Sequence, residues 1–181
     1  TSFRQLVNRL ENTIKGLTGI LQVQKTDESA AKEIHFESLV NDILLEHKDT
    51  IKVCEGTFQY DFNEKQSIRY IEPFLISIMK NLVNNAIKYC RDDVQLVINI
   101  STSVKNGFIL LKISDNGIGI DLEKHKDQLF SPFKRLSPKK AEGTGVGLYI
   151  IKSIIEKNWG YIEVESTPGE GTTFYCYLRE Y

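Results

Sequence analysis

Three short blocks of the sequence have residue types and spacing that suit a nucleotide site. An asparagine-rich block, NLVNNAIKY at 81–89, is followed by DNGIGI at 115–120 and by GTGVGL at 143–148. Glycine adopts positive φ at little cost and, lacking a Cβ, allows a ligand to approach the backbone closely. We therefore predict that glycine backbone surrounds a nucleotide and that Asp115 and Asn85 recognise its polar groups.

The first block lies on a predicted helix over 73–89, which starts with a proline, a residue suited to the first helical turn. At about 100° per residue, Asn81, Asn85 and Lys88 lie on one face, roughly opposite the apolar stripe. Asparagine is a mediocre helix former, so three of them in a helix interior lower its stability, and a role in binding would explain their presence. Their amide oxygens are suitable hard ligands for Mg²⁺. The alternative is a solvated helix face.

Asp115 is predicted to stand at the end of a strand over 108–114, where ligand crevices commonly open in sheets that contain helices. A carboxylate accepts hydrogen bonds and does not donate them. It therefore suits the exocyclic amino group of adenine and disfavours the carbonyl of guanine. The alternative is an ordinary turn, because Asp-x-Gly is common in turns. The second glycine block, in this order after the asparagines, favours the nucleotide site.

The third block leads directly into a predicted helix over 146–157. The first N–H groups of a helix have no partner within it and, together with the positive end of the helix dipole, bind anions. A glycine-capped helix start without a ligand is the alternative. Three glycines at alternate positions, Gly143, Gly145 and Gly147, are more than such a cap requires. We therefore predict that the phosphates lie here.

In this order, the three blocks resemble those of the ATP-binding catalytic domain of sensor histidine kinases, within the superfamily that also holds gyrase B, the Hsp90 chaperones and the MutL ATPases. The resemblance implies ATP and Mg²⁺ as cofactors and Asn81, Asn85 and Lys88 as catalytic residues. Asn85 would hold Mg²⁺, Asn81 would support the metal and phosphate region, and Thr172 would back up Asp115 through its hydroxyl and a water. The other residues expected to bind the nucleotide are Tyr89, Gly117, Ile118, Gly119, Lys134, Arg135, Gly143, Thr144, Gly145, Val146, Gly147 and Leu148.

One position separates the branches of this superfamily. Its ATP-hydrolysing members and the anti-sigma serine kinases carry a glutamate as general base one helical turn before the metal-holding asparagine, and here that position is Asn81. Water and serine need a base, whereas a neutral imidazole, with a pKa near ~6.5, is already nucleophilic at pH 7. The absence of the glutamate therefore points to transfer of the γ-phosphoryl group to a histidine, and it disfavours an ATPase clamp.

The acceptor histidine is expected outside this chain. In the family it is followed by an acidic residue, and none of His35, His47 and His125 is. The resemblance thus implies a missing upstream dimerisation domain that carries the histidine, a homodimer of the full-length protein, and a response regulator as partner. The alternative function is a non-catalytic nucleotide-binding regulatory module of the same fold.

Residues 121–142, between the glycine blocks, are predicted to form a lid. The segment contains six cationic residues, four acidic ones and two prolines, which argue against one long helix. Phe130 and Phe133 match the family's F box, in which aromatic residues anchor a mobile lid, and Lys134 or Arg135 could neutralise the triphosphate on closure. The alternative is a solvated charged surface.

Size and composition disfavour other classes of function. The 181 residues, 41% of them hydrophobic, suffice for one domain with a real core and a short appendage. A net charge of -1 and a pI near 6.3 provide no basic field for nucleic acid or an anionic membrane. Three widely spaced cysteines suggest no disulfide framework, which favours a reducing cytoplasm. No apolar run is long enough for a membrane span, although the full-length protein could be anchored elsewhere.

The elements that would position the site alternate between helical and strand periodicity. Heptad spacing over 3–21 predicts a dimerisation helix or a helix packed on its own domain, with the boundary between 1–28 and 29–181. The remaining prediction is an α+β fold, a two-layer sandwich of a mixed, mostly antiparallel sheet with helices on one face. Its elements are a helix over 36–47, strands over 51–53 and 58–62, a hairpin over 94–104 and 108–114 turned at Asn106-Gly107, and a last hairpin over 161–166 and 173–178.

Overall fold

Seven strands form two sheets in the described residues, 28–53, 56–134 and 145–181, of this computed structural model. Five of the strands form one sheet in the order β2-β4-β5-β7-β6, and β1 pairs with β3 in a separate sheet. Neighbouring strands are antiparallel, except that β2 and β4 are parallel. The strands are β1 (Ala31–His35), β2 (Thr57–Asp61), β3 (Ser67–Ile71), β4 (Val97–Lys105), β5 (Phe108–Asp115), β6 (Tyr161–Thr167) and β7 (Gly171–Leu178).

The helices pack against one face of the five-stranded sheet. The longest helix, Glu72–Lys88, contacts the helix Gly147–Lys157, and both share one apolar core with the inward residues of β4, β5 and β7. The opposite sheet face carries Phe108, Tyr161 and Tyr177, whose rings pack against each other. The helices are α1 (Phe36–Glu46), α2 (Lys48–Val53), α3 (Glu72–Lys88), α4 (Leu122–His125) and α5 (Gly147–Lys157). This arrangement confirms the predicted two-layer sandwich with a mixed, mostly antiparallel sheet.

Periodicity explains why these segments adopt these structures. In β5, Ile109, Leu111 and Ile113 share the face that packs on the core, as a strand with one face on the core requires, and Leu110 is buried on the opposite face. Helix α3 has a proline in its first turn and a broad apolar stripe with the spacing of a core-facing helix. That stripe consists of Phe74, Leu75, Ile78, Met79, Leu82, Val83, Ala86 and Ile87.

The region before α3 differs from the prediction. Residues 51–53, predicted as a strand, belong to helix α2, and β1 and β3 were not predicted. Of the aromatic residues over 58–62, Phe62 is 8% exposed and Phe58 is half-buried against the core, whereas Tyr60 is 41% exposed at the sheet edge. The predicted N-terminal helix over 3–21 lies outside the described residues, which begin at residue 28. The predicted domain 1–28 therefore falls almost entirely outside them.

The topology brings three chain segments together. The end of β5 delivers Asp115 beside Thr172 of β7, its register partner. The loop after β5 then packs against the end of α3, where the Ile118 N–H donates to the Tyr89 carbonyl at 2.9 Å. None of the helices in the described part of the chain has the length and hydrophobicity that a membrane crossing needs.

Candidate functional site

A cavity of about 260 Å³ opens between the second half of α3, the end of β5 and the start of α5. Most of the predicted site residues line it. Those residues are Asn81, Asn85, Lys88, Tyr89, Asp115, Ile118, Gly119, Lys134, Gly145, Gly147, Leu148 and Thr172. Segments separated by up to 91 residues in sequence thus meet at one concave site, as a binding pocket requires.

The remaining predicted residues fall into two groups. Gly117 and Val146 are adjacent to the cavity wall without lining it: Gly117 contacts Asp115, and Val146 is buried at the N-cap of α5. Arg135, Gly143 and Thr144 lie outside the described residues, as does the rest of the predicted lid after Lys134.

The Asp115 carboxylate lies at one end of the cavity in a desolvated position. Burial raises its pKa, and hydrogen bonds from the backbone of Gly117 and Thr172 oppose that rise. The Gly117 N–H donates to Asp115 Oδ1 at 2.8 Å. This bond leaves acceptor capacity on the carboxylate, since each carboxylate oxygen has more than one lone pair. The site therefore offers a half-buried hydrogen-bond acceptor to a donor group on a ligand.

Thr172 extends the polar wall behind this carboxylate. Its side chain is 7% exposed, and its hydroxyl is 2.9 Å from the Ser166 hydroxyl. Ser166 in turn donates to the Gly171 carbonyl and accepts from the Ile120 N–H at 2.8 Å. These bonds fix the strand ends of the β6–β7 hairpin relative to the loop after β5.

At the other end of the cavity, Asn81 is oriented by its own helix. Its Nδ2 donates to the Ser77 carbonyl at 2.8 Å, which leaves Oδ1 to act as an acceptor. That oxygen faces the start of α5, because a Cβ built on Gly147 would lie 2.7 Å from it. Asn85 and Lys88 follow one and two turns later on the same side of α3 and line the same cavity. Asn81 Oδ1 therefore meets the N-terminus of α5, and Asn85 and Lys88 extend the polar wall along α3.

Two glycines are needed for the loops to approach this closely. Gly119 has φ +67°, and a Cβ there would collide with the Thr167 carbonyl. Gly145 has φ +71°, and its Cβ would lie 2.5 Å from the Lys134 carbonyl oxygen. Both positions combine a left-handed backbone with no room for a side chain, which only glycine tolerates at low cost. The glycine blocks thus shape the cavity wall.

Side chains near the predicted lid have distinct environments. Phe130 is half-buried against the core, and the Lys152 ammonium lies 5.5 Å from its ring centroid. Phe133 is 53% exposed with φ +62°, and Lys134 is exposed at the cavity rim. The Lys88 ammonium is 5.0 Å from the Tyr89 ring centroid. Of these two cavity cations, Lys88 is half-buried and Lys134 is exposed.

Four cavity residues were not among the predicted ones: Asn84, Ile120, Leu129 and Phe174. Phe174 could have been found, because it lies two residues after Thr172 in β7 and so shares its face. Leu129 is 5% exposed, and it belongs to a segment too short to show a hydrophobic periodicity in the sequence. Ile120, Leu129 and Phe174 give the cavity an apolar wall, which suits a flat heterocycle.

The donor set fits a nucleotide with a hard cation. Among the described residues, no cluster of three His, Cys, Asp or Glu could hold a metal ion by itself. A cation here would depend on amide oxygens such as that of Asn85, together with phosphate oxygens and water, and this is the coordination that Mg²⁺ prefers.

Comparisons with known proteins agree with this geometry. Residues 70–181 match the model of the family described as histidine kinase-, DNA gyrase B-, and HSP90-like ATPase. The sensor protein kinase WalK of Staphylococcus aureus is 31% identical over 176 residues, which cover 93% of this chain and 42% of that relative. This chain therefore spans less than half the length of the curated relatives that it matches.

Solved structures share the fold. The Acinetobacter baumannii histidine kinase AdeS aligns with a TM-score of 0.71 at 21% identity, covering 97% of this chain and 83% of that one. The histidine kinase ThkA, solved in complex with response regulator protein TrrA, aligns with a TM-score of 0.72 at 20% identity, covering 97% and 49%. Because the family model covers more than half of the sequence and includes all three blocks, this chain belongs to the histidine kinase-, DNA gyrase B- and HSP90-like ATPase family, as an ATP-binding domain of the sensor histidine kinase type.

Proposed function

We propose that this domain binds Mg·ATP in the cavity and transfers the γ-phosphoryl group to a histidine on a dimerisation domain outside this chain. One observation carries the proposal: one cavity is lined by the half-buried Asp115 carboxylate and, where Asn81 Oδ1 faces the start of α5, by an amide oxygen and a helix N-terminus. This polarity matches a nucleotide with its base at one end and its phosphates at the other.

Each end of the cavity has its own task. Asp115 accepts a hydrogen bond from the adenine amino group, with Thr172 behind it, and the glycines admit the ligand to the backbone. At the start of α5, unpaired N–H groups and the helix dipole stabilise the phosphates. Mg²⁺, when bound, neutralises charge on the phosphates. Asn85 would hold that ion, and Asn81 Oδ1, with Lys88, would orient the phosphate end.

The identity of the residue at position 81 supports histidine as the acceptor. The segment of α3 from Ser77 to Asn84 contains no carboxylate that could remove a proton from water or from a hydroxyl. A neutral imidazole needs no such base, because its nitrogen lone pair attacks directly. The residues of this chain would therefore accelerate transfer mainly by positioning and electrostatic stabilisation, and the acceptor would supply its own nucleophile.

Partners follow from the same proposal. We place residues 1–28 at the end of a dimerisation helix and its linker, on the heptad spacing of their apolar residues, and residues 29–181 in the catalytic domain. A homodimer would then present the histidine to this domain, and a response regulator would receive the phosphoryl group. The complex of the structurally similar kinase ThkA with a response regulator supports that partner class. A cytoplasmic location, where ATP is available, completes the proposal.

Titration calorimetry with ATP and with GTP, each with and without Mg²⁺, tests the nucleotide site. We expect Mg²⁺-sensitive binding of ATP and much weaker binding of GTP, because the Asp115 carboxylate would face the guanine carbonyl without a donor between them. Absence of any nucleotide binding would refute the proposal. Binding of ATP without phosphorylation of a supplied histidine domain would instead support a regulatory module of the same fold.

A further inference from the structure

The loop after β5 is held from both sides by backbone hydrogen bonds. The Ile118 N–H donates to the Tyr89 carbonyl at 2.9 Å, and the Gly169 N–H donates to the Ile118 carbonyl at 2.8 Å. Gly169 lies in the turn between β6 and β7, whose residues 167–170 are all exposed. Ile118 and its neighbour Gly119 line the cavity next to Asp115. The position of this exposed turn is therefore coupled to the wall of the cavity.

Arg91 closes this series of bonds. Its Nη1 donates to the Gly169 carbonyl at 2.5 Å. The same guanidinium is oriented by Asp93, to which Nε donates at 3.0 Å and Nη2 at 2.6 Å. A planar guanidinium held by such a two-point contact has little freedom to leave its third partner. Because Arg91 follows Tyr89 by two residues, the bonds run from the end of α3 to the loop, to the turn, and back to the end of α3.

We infer that Arg91 is a positioning residue for the base end of the nucleotide cavity. The inference rests on the proposed function, since it assigns Arg91 to the adenine side of that site. Arg91 does not line the cavity and acts through Gly169, which holds Ile118 in place. The adjacent contact of Gly119 with the Thr167 carbonyl means that a displaced turn would also release the second cavity residue of this loop.

This role has a specific consequence for binding. The bonds surround the part of the cavity beside Asp115, whereas Asn81 Oδ1 faces the start of α5. Loss of Arg91 should therefore weaken every ligand that contains adenine by a similar factor, whatever its number of phosphates. A residue that contacts phosphate would instead weaken ATP more than ADP, and ADP more than adenosine.

The test is a set of variants titrated with adenosine, ADP and Mg·ATP. For Arg91→Ala we expect Kd to rise roughly fivefold for all three ligands, as for an exposed hydrogen bond from a charged donor. Arg91→Lys should recover part of this loss, because lysine keeps the charge and can still donate to the Gly169 carbonyl. Asp93→Ala should produce a smaller effect in the same direction, since it frees the guanidinium without removing it.

Lys65→Ala is the matched control. It removes another partly exposed ion pair, with Glu180 at 3.1 Å, and Lys65 is not among the cavity residues. We expect its three Kd values to equal those of the wild type. Thermal melting of each variant shows whether the variant is folded and so separates unfolding from loss of positioning. A folded Arg91→Ala with unchanged Kd values, or with a loss of affinity confined to ATP, would overturn the inference.

Amide hydrogen exchange provides a second measurement that needs no ligand. In Arg91→Ala, exchange should accelerate at Ile118 and Gly169 and within residues 116–121 and 166–171, while the core strand β5 keeps its protection. Unchanged exchange at these sites would overturn the inference even if the wild type bound no nucleotide. Accelerated exchange together with a wild type that binds no nucleotide would mean that the proposed function alone had failed, so the two failures are distinguishable.

Discussion

At the scale of single residues, Asp115 combines a cost in stability with a gain in recognition. Burial raises the pKa of its carboxyl group, so keeping it ionised at neutral pH disfavours the ligand-free fold. For Asp115→Asn we expect ATP affinity to fall by at least about tenfold, because an amide presents its NH₂ as well as its oxygen to the adenine amino group. The melting temperature of the ligand-free protein should be equal or higher. Calorimetry and thermal melting measure the two effects.

The pH dependence of binding has a definite sign. A folded-state pKa above the unfolded value means that protonation of Asp115 favours folding at low pH, and that this contribution is lost as pH rises through the folded pKa. ATP affinity has the opposite pH dependence, because binding requires the ionised carboxylate as hydrogen-bond acceptor. We expect affinity to fall as pH is lowered from about 7 to about 4, starting above the pH at which an exposed aspartate protonates. Titration of Asp115→Asn at each pH corrects for protonation of ATP, and equal pH profiles for both proteins would contradict this role.

Asn85 and Asn84 allow a matched comparison at the other end of the cavity. Both are asparagines of α3 that line the cavity, but Asn85 is half-buried and Asn84 is exposed. Asn85→Ala should remove the dependence of ATP affinity on Mg²⁺, since it deletes the proposed metal ligand. Asn84→Ala should keep that dependence. Calorimetry with and without Mg²⁺ compares them, and an unchanged Mg²⁺ effect in Asn85→Ala would rule out the metal assignment.

At the scale of elements, the start of α5 links helix packing to phosphate binding. A Cβ on Gly147 would lie 2.7 Å from Asn81 Oδ1, so Gly147→Ala should displace that oxygen and occupy part of the phosphate end. We expect ATP affinity to fall roughly tenfold, as for a misplaced methyl group in a tight site. Stability should not fall, because alanine is the better helix former. Binding and chemical denaturation report the two quantities.

Gly107→Ala is the matched control for this prediction. Gly107 has φ +79° in the β4–β5 turn, and a Cβ added there would have no atom within 4 Å. The substitution should cost about 1–2 kcal/mol of stability through backbone strain alone and leave ATP affinity unchanged. Equal effects of the two substitutions on binding would show that Gly147 acts through general destabilisation instead of through Asn81.

The elements that the sequence predicts well have either a long hydrophobic periodicity or characteristic turn residues close together in sequence. Helix α3 has a broad apolar stripe, and both hairpins have turn residues between alternating strands, so their predictions were confirmed to within a few residues. Strands β1 and β3 were missed because each has only five residues. Their paired residues are 32 to 40 positions apart, so no hairpin turn in the sequence marks the pairing. Residues 51–53 were predicted wrongly as a strand, because alternation over three residues also fits one turn of a helix such as α2.

The same reasoning explains which cavity residues were predictable. Asp115, the asparagines and the glycines belong to motifs whose chemistry is local in sequence. Leu129 and Ile120 become part of the cavity only through packing of the segment around α4, which has no periodic signal. Arg91 contacts Gly169 across 78 residues, a distance in sequence over which no pattern gives information. Their roles depend on tertiary structure and so had to be observed.

At the scale of the whole molecule, the chain contains a cavity suited to a nucleotide, and the segment of α3 from Ser77 to Asn84 provides no carboxylate base for the attack of water. Asp115 and the start of α5 line one cavity, and Asn81 stands where the family resemblance places the glutamate of ATP-hydrolysing members. Binding and turnover should therefore be separable properties of this domain. A tightly held ATP that reacts only with an arriving histidine would protect the phosphoryl group from water between signals.

Phosphate release measures this separation directly. With saturating Mg·ATP and no acceptor, we expect release far below the ~1–10³ s⁻¹ turnover of typical enzymes, because positioning alone leaves water without a proton acceptor. Asn85→Ala serves as the control for contaminating ATPases, since activity that belongs to this cavity must change in that variant. Sustained release that disappears in Asn85→Ala would mean that another group activates water and that the chain is an ATPase. Equally low release from both proteins, with Mg²⁺-dependent ATP binding only in the wild type, would favour a histidine over water as the acceptor.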